Sequence, residues 1–101
     1  MRLLILAISV ALALCGGGAA TFAQDVKNGR RVSERWCLEC HAIDPGKPSR
    51  TLPFAAIAAK PGISSEMISS FLFIPHATMP NLPLSRKDAR DIAAFIMEMK
   101  N

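Results

Sequence analysis

Three residues within five positions carry the chemistry of this chain: Cys37, Cys40 and His41, in the run Cys37-Leu38-Glu39-Cys40-His41. C-x-x-C-H is the attachment motif for c-type haem. Two cysteines three apart, just after a helix, can each add to one vinyl group along the same porphyrin edge. The two thioethers then fix the plane of the ring, and the adjacent His41 is delivered to the iron as its proximal ligand. Other readings of the pair fit less well. A redox Cys-x-x-Cys opens a helix within a thioredoxin-like strand–helix pattern, which this chain lacks. Structural zinc needs two further Cys or His, and beyond His41 of the motif itself His76 is the only candidate outside the leader segment. A plain disulfide stays open, because the chain carries an export signal and such compartments are oxidising.

A second axial ligand must come from elsewhere. Met67 lies on a middle helix and Met97 and Met99 on the last one, where core packing is the default expectation. Met79 differs. It sits in the extended run 76–84, HATMPNLPL, 38 residues after His41, and Pro80 stiffens the backbone behind it. His76 is the rival. Thioether chemistry opposite a histidine favours Met79.

The elements that must position these residues are helices. Residues 26–36 form a short helix capped by Asp25, with Val26, Gly29, Val32 and Trp36 on one face. Gly29 costs about 1 kcal/mol relative to Ala within a helix, and such a glycine marks close approach of another backbone. Residues 42–53 hold three prolines and a glycine and form a loop. A short Ala-rich stretch, 54–60, stops at Pro61-Gly62. A helix capped by Ser64 or Ser65 runs to about Ile74, with Met67, Ile68, Phe71, Leu72 and Ile74 as its apolar face. Ser85, with Asp88 three residues on, starts a final helix from Arg86 to Lys100, and Ile92, Phe95, Ile96 and Met99 make its packed stripe. No strand pattern and no repeat is present.

The chain begins outside this fold. Met1-Arg2, an apolar run from Leu3 to Leu14, and small residues leading to Ala23 make residues 1–23 a secretory signal peptide. The run is about 12 residues, short of the roughly 20 that span a bilayer, so no stable membrane anchor is expected. Leu14, not a small residue, precedes Cys15, which argues against lipidation. Residues 24–101 are then one domain, with Cys37 and Cys40 as its cysteines and a net charge of +3 once Arg2 is gone. A chain this short needs a staple such as a metal, a disulfide or a cofactor. Its length excludes a multidomain enzyme, and it carries no Ser-His-Asp set, catalytic carboxylate pair, phosphate loop or nucleic-acid motif.

Taken in order, these residues resemble the small bacterial class I c-type cytochromes over essentially the whole domain. The resemblance rests on a Gly29-bearing helix leading into Trp36-Cys37-Leu38-Glu39-Cys40-His41, then Pro53-Phe54, the loop Pro75-His76-Ala77-Thr78-Met79-Pro80, and a last helix bearing Phe95. It implies an all-α, cytochrome c-like fold: three to four short helices around one covalently bound haem c, with the N- and C-terminal helices crossing. It implies thioethers at Cys37 and Cys40, axial ligands His41 and Met79, and a Pro53 carbonyl accepting the other ring N–H of His41. Gly29 would let the first helix cross the last against Phe95. Two departures stand out. Leu52 replaces the glycine that often precedes the Pro53-type proline, and Phe95 stands where Tyr is common.

A haem iron with both axial positions filled by protein has no open site for substrate, so the expected function is periplasmic one-electron transfer, not enzyme catalysis. Its partners would be redox proteins: a dehydrogenase, an oxidase or a membrane electron-transfer complex. Scattered Lys and Arg could steer an acidic partner, and Arg50 could pair with a haem propionate. Two alternatives are a haem subunit held in a dehydrogenase complex, and a gas-binding or peroxidatic protein in which Met79 is absent or labile.

Overall fold

A computed structural model describes residues 24–74 and 79–100. The signal segment with its cleavage point, and His76, lie outside the described residues. Four helices follow in order: α1 Val26–Trp36, α2 Phe54–Ala58, α3 Ser65–Phe71 and α4 Arg86–Met97. No strand occurs among the described residues, so the fold is all-α, as the cytochrome c-like reading expects.

The helix starts are set by side-chain caps. Asp25 accepts from the Asn28 N–H at 3.0 Å, Ser64 from Met67 at 3.1 Å and Ser85 from Asp88 at 3.0 Å. Each bond satisfies one of the N–H groups that a first helical turn leaves open. The expected capping box at α4 is only half formed. Asp88 turns its carboxylate to the Asn28 amide of α1, at 3.1 Å. Two helices end before their apolar patterns do. After Phe71 the chain tightens into i to i+3 bonds, Phe73 N–H to Ser70 O and Ile74 N–H to Phe71 O, because Pro75 disfavours a helical residue before it. After Met97 the same tightening carries Met99 and Lys100.

α4 is the centre of the fold and packs on all three other helices, most extensively on α1. Ala89, Ile92, Ala93, Phe95 and Ile96 are buried on it. The crossing with α1 is tight: a Cβ at Gly29 would fall within the Asp91 carbonyl group and 3.0 Å from the Ile92 nitrogen. The crossing therefore needs a glycine, and it lies one turn earlier on α4 than the expected contact with Phe95. Phe95 instead meets Phe54 edge-on at 6.1 Å. Around the crossing is a polar cluster. Asp91, 1% exposed, accepts from the Asp25 N–H at 2.8 Å, from Asn28 Nδ2 at 2.7 Å and from the Lys87 ammonium. Burial pushes the Asp91 carboxyl up, but Lys87, the Asp25 N–H and the Asn28 amide outweigh it and hold the group below the usual carboxylate range.

Trp36 was expected on the packed face of α1 and is instead 38% exposed, with the Arg35 guanidinium 5.0 Å from its ring centre. Gly29 and the small Asn28 and Ser33 take the buried face, because a crossing this close has no room for an indole. Met97 and Met99 are partly buried against the core, as expected. Met67 is not; it is 56% exposed.

Candidate functional site

The end of α1 makes the motif a tight turn. Cys37 N–H bonds Ser33 O at 2.8 Å, and the N–H groups of Cys40 and His41 both reach Cys37 O, at 3.1 and 2.9 Å. The two cysteines are thereby held within one turn, with Cys37 buried and Cys40 exposed. Burial in apolar surroundings pushes the Cys37 thiol up to about 11, so it stays protonated at neutral pH. The neighbouring Ser33 hydroxyl offsets part of that rise. It is itself fully buried and makes no bond of ordinary hydrogen-bond geometry.

The loop 42–53 folds back on the motif and is fastened at its base. Ala42 N–H donates to Ser49 Oγ at 2.8 Å, Thr51 N–H to Cys40 O at 2.9 Å, and Phe54 N–H to Ala42 O at 3.0 Å. Its turn at Pro45-Gly46 uses Gly46 at φ +78°, the left-handed region open to glycine. Farther out, Arg30 on α1 holds the Asp44 carboxylate with two nitrogens, at 2.8 and 3.1 Å, and lies 5.7 Å over the Phe95 ring. That pairing raises the Arg30 guanidinium and lowers the Asp44 carboxyl from their ordinary values.

The fastened loop fixes His41. Its Nδ1 is 2.6 Å from the Leu52 carbonyl oxygen. A carbonyl only accepts, so Nδ1 carries the proton and Nε2 keeps its lone pair for a metal. The expected acceptor was the Pro53 carbonyl, and the structure corrects it by one residue. Pro53 is the N-cap of α2, and its carbonyl is taken by the N–H groups of Ala56 and Ile57, at 3.0 and 3.1 Å. The Leu52 carbonyl, outside the helix, is the one left to face the imidazole. Phe54 supports the ring from 5.6 Å.

Beside His41 opens a cavity of about 560 Å³, within the roughly 300–1,000 Å³ of small-molecule sites. Cys37, His41 and Met79 all line it, with Leu52, Phe54 and Ile96 below and Met67, Phe71 and Ile74 from the α3 segment. Cys40 and Pro53 are not among its lining residues. Met67 and Phe71, 56% and 57% exposed, are cavity wall where the sequence pattern suggested helix core. An amphipathic stripe reads the same in both cases, so periodicity alone could not separate them. The site fits a haem by its chemistry: apolar walls, a thiol and a neighbouring thiol in one turn, an imidazole with its outer nitrogen available, and a thioether on the same cavity.

Comparison with known proteins agrees. The chain is 38% identical over 103 residues, 99% of each chain, to cytochrome c-552 from Bradyrhizobium diazoefficiens. No family model matches, and no solved structure matches. Identity at that level over nearly the full length, with the all-helical fold, shows that the chain belongs to the small class I c-type cytochromes and carries covalently bound haem c.

Proposed function

We propose that this cytochrome is a periplasmic one-electron carrier whose haem is held by Cys37 and Cys40 and ligated by His41 and Met79. The observation that carries the reading is one cavity lined by Cys37, His41 and Met79, with His41 fixed through Nδ1. When bound, haem c supplies one redox equivalent through its Fe(III)/Fe(II) couple. The chain does the rest. Cys37 and Cys40 would hold the haem as thioethers, each S–H added across one vinyl group, so that the cofactor could not be lost. The Leu52 carbonyl keeps the proton on His41 Nδ1, so Nε2 would be the neutral nitrogen offered to the metal. Met79 would be the second protein ligand; with both ligands supplied by the chain no site would be left for substrate, and the protein would act as a carrier, not an enzyme. The apolar side chains of α2 and α3 exclude water, a lever that raises a haem potential.

Export through the 1–23 segment places the protein in the periplasm. None of the described helices is long and apolar enough to cross a membrane. The partners are redox proteins: a dehydrogenase, an oxidase or a membrane electron-transfer complex. A second reading, a haem subunit held in a complex, is favoured by Leu38 and Phe73, exposed apolar residues outside the cavity lining. Co-purification with a larger partner would select it.

The test is an optical spectrum of protein made in a host able to attach haem, recorded oxidised, reduced, and reduced with carbon monoxide. A covalent c-type spectrum, the weak far-red band of Met-ligated Fe(III) and no carbon monoxide shift are expected. Met79→Ala should lose that band and bind carbon monoxide. Ready carbon monoxide binding by the unaltered protein would move the reading to gas or peroxide chemistry.

A further inference from the structure

We propose that Thr51 is a positioning residue for the His41 ligand, its hydroxyl serving as a second acceptor for the Nδ1 proton and thereby lowering the reduction potential. The inference deepens the reading above and rests on His41 being an axial ligand. Thr51 Oγ1 lies 3.1 Å from His41 Nδ1, beside the stronger contact from Nδ1 to Leu52 O at 2.6 Å. The bond roles follow from the partners. Leu52 O can only accept, so Nδ1 is the donor, and towards a donor Thr51 Oγ1 must accept. The hydroxyl proton is already committed, since Thr51 Oγ1 donates to Cys40 O at 2.9 Å. The same carbonyl also takes the Thr51 backbone N–H at 2.9 Å.

The result is a short chain of hydrogen bonds, from His41 Nδ1–H to Thr51 Oγ1–H to the Cys40 carbonyl. It begins and ends within the attachment motif. Such chains polarise their members in the same sense, so the hydroxyl is a better acceptor than an isolated one. A firmer hold on the Nδ1 proton leaves more electron density at Nε2. A more basic ligand stabilises the oxidised iron more than the reduced iron. Adjacent residues, 51 and 52, thus supply two acceptors for one proton, one from a side chain and one from the backbone. Only the side-chain contribution can be removed by substitution.

Thr51→Val keeps the shape and removes the hydroxyl; Thr51→Ser keeps the hydroxyl. The holoprotein of each is compared with the unaltered one by redox titration and by NMR of the reduced, diamagnetic state. Thr51→Val should shift the midpoint potential to a more positive value. Exchange of the His41 Nδ1 proton should speed up about two- to tenfold, the range for loss of one ordinary hydrogen bond. Thr51→Ser should restore both. A Thr51→Val protein that is less stable but unchanged in potential and exchange would reduce Thr51 to a loop fastener and overturn the proposal. Equal shifts in the Val and Ser proteins would do the same. If Thr51→Val does not accumulate, the unaltered protein decides: a cross-peak between the His41 Nδ1 proton and the Thr51 side chain is expected, and its absence overturns the proposal. An optical spectrum lacking a six-coordinate low-spin haem would overturn the ligand reading first and this one with it. A normal spectrum with an unmoved potential overturns this one alone.

Discussion

The two sides of the molecule are built on opposite terms. At the α1–α4 crossing, the chain completes itself. Gly29 meets the Asp91 backbone, Asn28 and the Asp25 N–H satisfy the Asp91 carboxylate, and Ile92 and Ile96 are fully buried beside them. Along α3, Ile68 is the one buried residue of the helix, while Met67 and Phe71 stand more than half exposed along the cavity. The first region is protein packed on protein. The second is apolar surface arranged for a partner that is not protein. A domain of this size has too little core of its own for more than marginal stability, and here the deficit is confined to one side, where a large apolar cofactor supplies the missing packing.

Five substitutions would break or sharpen that contrast. The largest effect belongs to Gly29→Val, whose side chain must force the two helices apart. A loss of at least about 3 kcal/mol in the chemical unfolding of the holoprotein is expected, and an unchanged midpoint would mean the crossing is looser than described. Asp91→Ala comes next. It leaves the buried Asn28 amide with Asp88 alone as acceptor and takes the acceptor from the Asp25 N–H, at a cost of about 1–3 kcal/mol.

The Asp91 cluster also has a pH signature. The folded carboxyl titrates below the unfolded value of about 3.9. Its contribution is therefore complete above that value and is lost as the pH falls through the folded one. Asp91→Asn should flatten the fall in stability with acid over that range. An unaltered acid slope would assign acid sensitivity to other carboxylates.

On the opposite side, Met67→Ala should be informative because the two views disagree about it. A residue this exposed costs less than about 0.5 kcal/mol if solvent truly covers it. If haem covers it, the loss in the holoprotein is about 1–2 kcal/mol. The smallest effect is expected from Asp44→Asn. It cuts an exposed pair with Arg30, and any shift in the unfolding midpoint should fade as salt is added.

These regions also differ in how plainly the sequence announced them. Caps at Asp25, Ser64 and Ser85 were legible because each is a local bond between residues three apart. The motif from Cys37 to His41 was legible because its chemistry is compressed into five positions. The Leu52 carbonyl was not, since a backbone acceptor carries no side-chain signature and its choice depends on where α2 begins. Nor was the Asn28–Asp91 contact, formed across 63 residues. Gly29 declared that some backbone comes close but not which turn of α4 it would be. The α3 stripe announced burial without saying against what, since a porphyrin face and a protein core ask for the same residues.

The central place of α4 has a consequence for the order of assembly. α1 is 11 residues long, below the roughly 12–15 at which an isolated helix becomes even marginally stable in water. Its stabilising partner, α4, is the last of the described helices in chain order. Without α4 docked, α1 alone is too short to hold the turn that carries the cysteine pair. Docking of α4 supplies the Ile96 wall of the cavity and brings the two ends of the described domain together. The long sequence separation of that contact makes it a slow closing step. The architecture thus makes burial of the Cys37 thiol wait on α4, while Cys40 stays exposed in the folded domain.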